Sequence, residues 1–430
     1  MFELLVKTAI STLGVIAILL FVYSERWSFV QNLQRQPQTI LLFFVVWRLI
    51  PYTAIYLIIG LPAQSDVIAY FWPQALQAQQ LQLVYRDFDS HYSPFFAYIL
   101  AGAIFLWSDP RAIVLLMVII EGLALLVTYR LFFKETRDPG CIRSALIYLM
   151  LPAPFLLKLL GGQEEVWMWL AAMPFFWFAI QARPLLVASV ALVGLLVTKA
   201  LFVLALIPPI LVMRKPLVYI AGLGITGAIT FLPLWFVVGN DLFMPLSEGS
   251  SVSPPNFWFT INALSGGRMP LGNPMLSFAG LGLTLAFSCV FFWIHREQIR
   301  DSIQGYAIGW IFLFCCLMLL SPKSLGNYVA IYLLPLTFLV ILLQDRFAFY
   351  LMLTLNVLAS MQPSLWYRLG SPTYTDFSFL TNMPELLDFT MQLGMLVIFA
   401  LLMQRSWIWL STRPAYHMRP DTSTLSIEHQ

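Results

Sequence analysis

An all-α, polytopic membrane protein is the fold class this sequence predicts, and three observations predict it. Of 430 residues, 60% are hydrophobic and only 10% charged, where soluble chains carry about 25% charged residues. The mean hydropathy is +0.81, and no polar block is long enough to fold as a separate soluble domain. The apolar residues fall in repeated runs with few β-turn signals. Lipid cannot satisfy backbone polar groups, so such runs are helices rather than barrel strands. Residues 1–411 read as one integral membrane domain, followed by a short cytoplasmic tail over 412–430.

Taken in order, the run over 5–23 carries Lys7 near its start and has no small-residue cleavage site before Glu25 and Arg26, which predicts a retained signal-anchor span. Further apolar runs cover 39–60, 95–107, 111–130, 144–160, 166–182, 184–198, 200–213, 217–238, 276–294, 303–320, 328–344, 347–361 and 389–404. Together they predict about 11–14 membrane helices, some short or re-entrant, since a full crossing needs ~20 residues.

Orientation follows from the connectors, because cytoplasmic loops carry the Lys and Arg excess. Arg26 and Arg35, then Arg130, Lys134, Arg137 and Arg143, then Arg183, Arg214 and Lys215, His295, Arg296 and Arg300, Arg346, and finally Arg405, Arg413 and Arg419 are placed inside. The remaining loops, with Asp66, Asp87, Asp89, Glu164, Glu165, Asp241, Glu248, Arg268, Lys323, Arg368, Asp376, Glu385 and Asp388, are then external. For this alternation to hold, 95–107 dips into the membrane without crossing; its helix is only ~20 Å long against ~30 Å of hydrocarbon. Likewise 184–213 is two short helices meeting at Lys199, since one helix of ~45 Å would leave basic residues on both faces. Lys199 then lies at the bottom of an outward-facing cavity.

The loop over 239–275, rich in Pro, Gly, Ser and Asn around Phe257, Trp258 and Phe259, suits a cover on the membrane surface or over a site. A net charge of +3 is too small to point to nucleic acid. Cys141, Cys289, Cys315 and Cys316 match no metal or disulfide spacing and read as packing residues.

The chemistry concentrates at the outer ends of these helices. Asp66 follows the second apolar run, and Asp87, Asp89, His91 and Tyr92 follow it. Gln163, Glu164 and Glu165 lie in GGQEE, where the two acids also suit a helix N-terminus; Lys199 lies in its break; Lys323, Asn327 and Tyr328 lie in SPKSLGNY. An acid beside the hydrocarbon region is expensive unless it meets water, a partner or a substrate. One base with a cationic pocket is what transfer from a phosphate leaving group needs: a carboxylate takes the nucleophile's proton, and positive charge receives the phosphate. Glycoside hydrolysis would need a second, protonated carboxyl.

SDVIAY, the amphipathic QALQAQQL, HYSPFFAYIL, GGQEEVWMWL, TKALFVLALIPPIL followed by RK, and NYVAIYLLPL occur in an order that resembles the membrane-embedded GT-C glycosyltransferases. The chain is most similar to the family 87 branch, which depends on polyprenyl-phosphate mannose. The resemblance spans roughly 39–345, the catalytic part it implies, with Ser93 in place of a family proline and an additional span before the family's first helix. It implies a GT-C-like bundle around an external cavity and inverting transfer of a mannose-like hexose. The donor is a polyprenyl-phosphate sugar and the acceptor a lipid or glycan, on the outer face of a bacterial inner membrane. In that reading Asp66 is the general base, no cofactor is needed, and membrane lipids are the remaining partners. Asp87-Phe88-Asp89 also admits a divalent cation, because paired carboxylates suit hard metals. A lipid-linked-glycan flippase or transporter is the alternative function, although no internal repeat of the kind common in transporters is visible.

Overall fold

The computed structural model describes residues 2–24, 33, 36–247 and 252–412. Arg26, Arg35, Glu248, Arg413, Arg419 and the tail beyond Thr412 lie outside the described residues. Within them the secondary structure is helical, with no strand and two isolated bridges, Val84 to Phe88 and Ser253 to Lys323.

The N-terminal half runs α1 (Phe2–Tyr23), α2 (Gln38–Ile58), α3 (67–79), α4 (Phe96–Leu106), α5 (Arg111–Thr136), α6 (Gly140–Met150), α7 (Pro152–Leu160), α8 (Val166–Ile180) and α9 (Pro184–Val197). The second half has α10 (Pro216–Val238), α11 (Phe257–Leu264), α12 (Pro274–Ile294), α13 (Ile303–Leu320), α14 (Leu333–Leu342), α15 (Arg346–Arg368) and α16 (Met383–Ser411). Among the described residues, seven helices are long and apolar enough to cross a membrane, and the bent pair α6–α7 makes an eighth if counted as one span. The chain is therefore an integral multi-pass helical bundle.

The shorter elements have local causes. The expected span 144–160 is two helices bent by 52°, because Leu151 is driven to an extended conformation (ψ 135°) by the Pro152 that follows it. Residues 184–213 break at Thr198 and Lys199 as the charge pattern requires, but beyond the break come 3-10 turns, Ala200–Ala205 and Pro208–Leu211, with Pro208 and Pro209 withholding backbone donors. The run expected at 328–344 likewise begins as a 3-10 turn, Gly326–Ile331, before α14. By contrast, 347–361 and 389–404 extend into helices of 23 and 29 residues. Glu385 and Asp388 consequently sit in the opening turns of α16 rather than in a loop, and Asp388 is fully buried.

Burial locates the centre of the bundle. The apolar window of α13 is 89% buried and that of α10 only 11%, so α13 is the hub and α10 a peripheral, lipid-facing helix. Glu135 at the end of α5 accepts from Ser302 Oγ (2.7 Å) and Ile303 N (2.6 Å), capping α13 from a neighbouring helix. Cys141, Cys315 and Cys316 are buried packing residues and Cys289 is half-buried; all four are free thiols.

A buried ion pair fastens α2 to α5. Arg48 of α2 donates to both oxygens of Glu121 on α5, at 2.7 and 3.0 Å, with both side chains fully buried. Its Nη1 also donates to Leu149 O at 2.9 Å, a carbonyl that the α6–α7 bend strips of its helical partner.

Candidate functional site

Four interruptions of helical structure meet at one place. Asp66 ends the connector before α3; Gly161 to Glu165 join α7 to α8; Thr198 and Lys199 break α9 from its 3-10 continuation; and Asn327 and Tyr328 open the 3-10 turn before α14. Gly162 is what permits the closest of these approaches. Its φ of +61° is a left-handed conformation, and a Cβ there would lie 2.2 Å from Val67 Cγ2, beside Asp66. The turn after Tyr92 joins the group through hydrogen bonds from Ser93 N to Thr198 O (3.4 Å) and Phe95 N to Leu196 O (2.9 Å), carbonyls freed where α9 stops.

The side chains form a connected network. Gln163 Nε2 donates to Asp66 Oδ2 at 2.8 Å, and Gln163 Oε1 accepts from Asn327 Nδ2 at 2.5 Å. The same Asn327 nitrogen reaches Glu165 Oε1 at 3.0 Å. Lys199 Nζ lies 2.6 Å from Glu164 Oε1 and 3.4 Å from Glu165 Oε1, while Lys158 Nζ holds Glu165 Oε2 at 3.3 Å and donates to Gln163 O at 2.7 Å. The Lys199 ammonium also stands 4.9 Å from the Tyr328 ring centre and 5.7 Å from that of Tyr92, within cation–π reach of both. Neither Asp66 nor Lys199 is fully buried, whereas Glu164, Glu165 and Lys158 are.

Electrostatics separates the three acids. Burial pushes the Asp66 carboxyl above its ordinary range, opposed by the Gln163 hydrogen bond and the charges of Lys199 and Lys323, and reinforced by Glu165. Glu164 is raised to about 7, first by burial and then by Glu165, against the pull of Lys199. Glu165 goes the other way: burial works against its charge, but Lys199 and Lys158 outweigh it and hold the carboxyl below its usual range. Despite sitting at the start of α8, Glu165 makes no side-chain cap, so the helix-capping reading of this pair gives way to ion pairing.

Asp66, Tyr92, Gln163, Glu164, Lys199, Asn327 and Tyr328 are thus brought together, and Lys323 is near enough to act on Asp66. The loop expected to cover a site packs beside them: Ser253 N donates to Pro322 O (3.1 Å) and Ser324 N to Ser253 O (3.1 Å), with Trp258 Nε1 fastened to Leu320 O (2.6 Å). Asp87, Asp89 and His91 do not join the network. All three are exposed, and Asp87 fastens its own turn by accepting from Arg86 (2.8 and 3.0 Å) and from Leu83 N (2.7 Å). Those bonds engage both Asp87 oxygens in competition with any cation. Among the described residues, no three His, Cys, Asp or Glu side chains gather as a metal site.

One participant was not assigned from sequence. Lys158 looked like part of an apolar run, yet a lysine inside FLLKLL is itself a signal, since intramembrane charge is rare and seldom idle. Glu165 was indistinguishable from Glu164 until the fold placed Lys158 against it.

Comparison with family models, characterised proteins and solved structures finds no match to this chain. The functional reading rests on the geometry of the site.

Proposed function

We propose that this chain is a membrane glycosyltransferase that moves a mannose-like hexose from a polyprenyl-phosphate donor to a lipid or glycan acceptor, on the non-cytoplasmic face of a bacterial inner membrane. The observation that carries the reading is the setting of Asp66. Gln163 holds one carboxylate oxygen, while Oδ1 has no protein donor among the described residues, and Lys199 and Lys323 lie close by. A carboxylate fixed by one oxygen and free at the other is suited to take a proton. In the proposed step the acceptor hydroxyl loses its proton to Asp66 as its oxygen attacks the anomeric carbon from the face opposite the phosphate. The sugar–phosphate bond breaks, the phosphate keeps the electron pair, and the lysine charges stabilise it. The anomeric configuration inverts, and no second acid is required.

The test is transfer of labelled sugar from polyprenyl-phosphate mannose and related donors by purified protein in proteoliposomes. Asp66→Asn keeps the shape and loses the base, so transfer should fall by ~10²- to 10⁴-fold. Undiminished transfer by Asp66→Asn removes it as the base. Failure of every donor, together with movement of labelled lipid-linked glycan across the bilayer, replaces the transferase with a transporter.

A further inference from the structure

Lys199, its side chain 15% exposed, is a partly accessible cation of the site, and in this structure it is already occupied. Glu164 Oε1 sits 2.6 Å from its Nζ, and neither Glu164 oxygen receives a well-directed hydrogen bond, although the side chain is only 2% exposed. A buried carboxylate without hydrogen-bond donors is costly, so Glu164 depends on Lys199 for its charge. Glu165 does not, because Lys158 and Asn327 also serve it.

The charges that face Glu164 from the packed elements are Lys199 from the α9 break, Glu165 from its own turn with Lys158 behind it, Asp66 before α3 and Lys323 beyond it; the phenols of Tyr92 and Tyr328 flank Lys199. Lys158 and Lys199 are the cations in contact with the two glutamates. An incoming phosphodiester adds one negative charge to this cluster and competes for the Lys199 ammonium.

We infer that Glu164 is an internal stand-in for the ligand's phosphodiester anion: the anion displaces it from Lys199, and Glu164 takes up a proton as it is displaced. This deepens, and rests on, the transferase reading above. Binding of the anion is then an exchange that leaves the net charge of the cluster unchanged, and affinity falls with rising pH.

Dioctyl phosphate, a lipid-like phosphodiester, and dimethyl phosphate, its water-soluble counterpart, are suitable probes because neither titrates near neutrality. Calorimetry on the full chain in nanodiscs, in two buffers of different ionisation enthalpy, counts the protons taken up. At pH 8 the wild type should take up about one proton per dioctyl phosphate bound, and Kd should rise up to about tenfold between pH 7 and 8. Glu164→Gln should bind more tightly at pH 8, with uptake near zero and a flat pH profile. Uptake with dimethyl phosphate as well supports the exchange and makes a free anion as good a source as a lipid headgroup. Binding without proton uptake, or uptake that persists in Glu164→Gln, overturns the inference and leaves the transferase intact. Should neither phosphodiester bind while sugar transfer proceeds, the inference alone falls; should transfer fail with every donor too, the transferase reading falls with it. The wild-type proton count and pH slope decide the matter even if the variant misfolds.

Discussion

Replacing Gly162 by alanine tests whether the site is held together by close backbone packing. Two costs add. A φ of +61° is unfavourable for a residue with a Cβ by about 1–2 kcal/mol. The new methyl would also meet Val67 Cγ2 at 2.2 Å, far inside van der Waals contact, and Val67 is fully buried, so α3 or the GGQEE turn has to move. Overpacking of this kind costs about 1–3 kcal/mol. The expected total is about 2–5 kcal/mol, and the displacement acts directly on the 2.8 Å bond between Gln163 and Asp66. Thermal unfolding in detergent at a fixed scan rate, followed with a thiol-reactive dye that reports exposure of the buried cysteines, should show a midpoint lower by several degrees and reduced sugar transfer. Adding Val67→Ala should recover the steric part and leave the backbone part. Gly224→Ala, where a Cβ meets nothing within 4 Å, should melt like the wild type. A Gly162→Ala protein with unaltered midpoint and transfer, or one that Val67→Ala does not relieve, refutes the reasoning.

Arg48→Met leaves Glu121 charged and buried, at about 3–5 kcal/mol, whereas Arg48→Met with Glu121→Leu should regain most of that loss; the same thermal scan reads both, and a double variant no better than the single one excludes the pair as the cause. Because the folded state raises Glu164 to about 7, it binds that proton more tightly than the unfolded chain does. The resulting stability is full below the ordinary glutamate range and is lost as pH rises through about 4.5 to 7; Glu164→Gln should flatten the midpoint-against-pH curve over that window, and an unchanged slope would assign it to other groups. For orientation, single cysteines replacing Arg214 and Asp241 in a cysteine-free background should differ towards an impermeant thiol reagent. Labelling from outside is expected at 241 and not at 214, and the reverse pattern inverts the topology.

Much of the fold was legible because lipid leaves the chain little choice: runs of apolar residues become helices, and connector charge marks where they end. The break at Thr198 and Lys199 was legible for the same reason, since a single helix there could not satisfy the charge pattern. The bend at Pro152 was present in the sequence, but an apolar run on both sides concealed it. The 3-10 turns at Pro208–Leu211 and Gly326–Ile331 were not legible, because hydropathy does not distinguish helix types and the choice depends on tertiary packing. Asp388 shows the limit in another way. Its place just before the apolar run 389–404 suggested a loop, whereas Gln362 (3.1 Å), Tyr374 (2.6 Å) and Gln392 (2.6 Å) supply enough hydrogen bonds to bury it within α16.

The candidate site follows a related logic. A continuous membrane helix consumes its own backbone groups and presents only side chains, whereas an interrupted one frees carbonyls and amides that must find partners nearby. Here the end of α9 gives the carbonyls of Leu196 and Thr198 to the amides of Phe95 and Ser93 ahead of α4, and the end of α7 turns back on its own carbonyls, while side chains join the breaks to one another: Gln163 to Asp66 and Asn327, and Lys199 to Glu164. Charges that would be prohibitive along any one helix become tolerable where they meet as Lys158 with Glu165 and Lys199 with Glu164. Asp66 belongs to this set because Gly162 lets its helix approach, while Asp87 and Asp89 satisfy themselves within their own loop and stay outside. Sequence could therefore nominate the residues that a broken helix exposes, but only the packing of one break against another could decide which of them share a site.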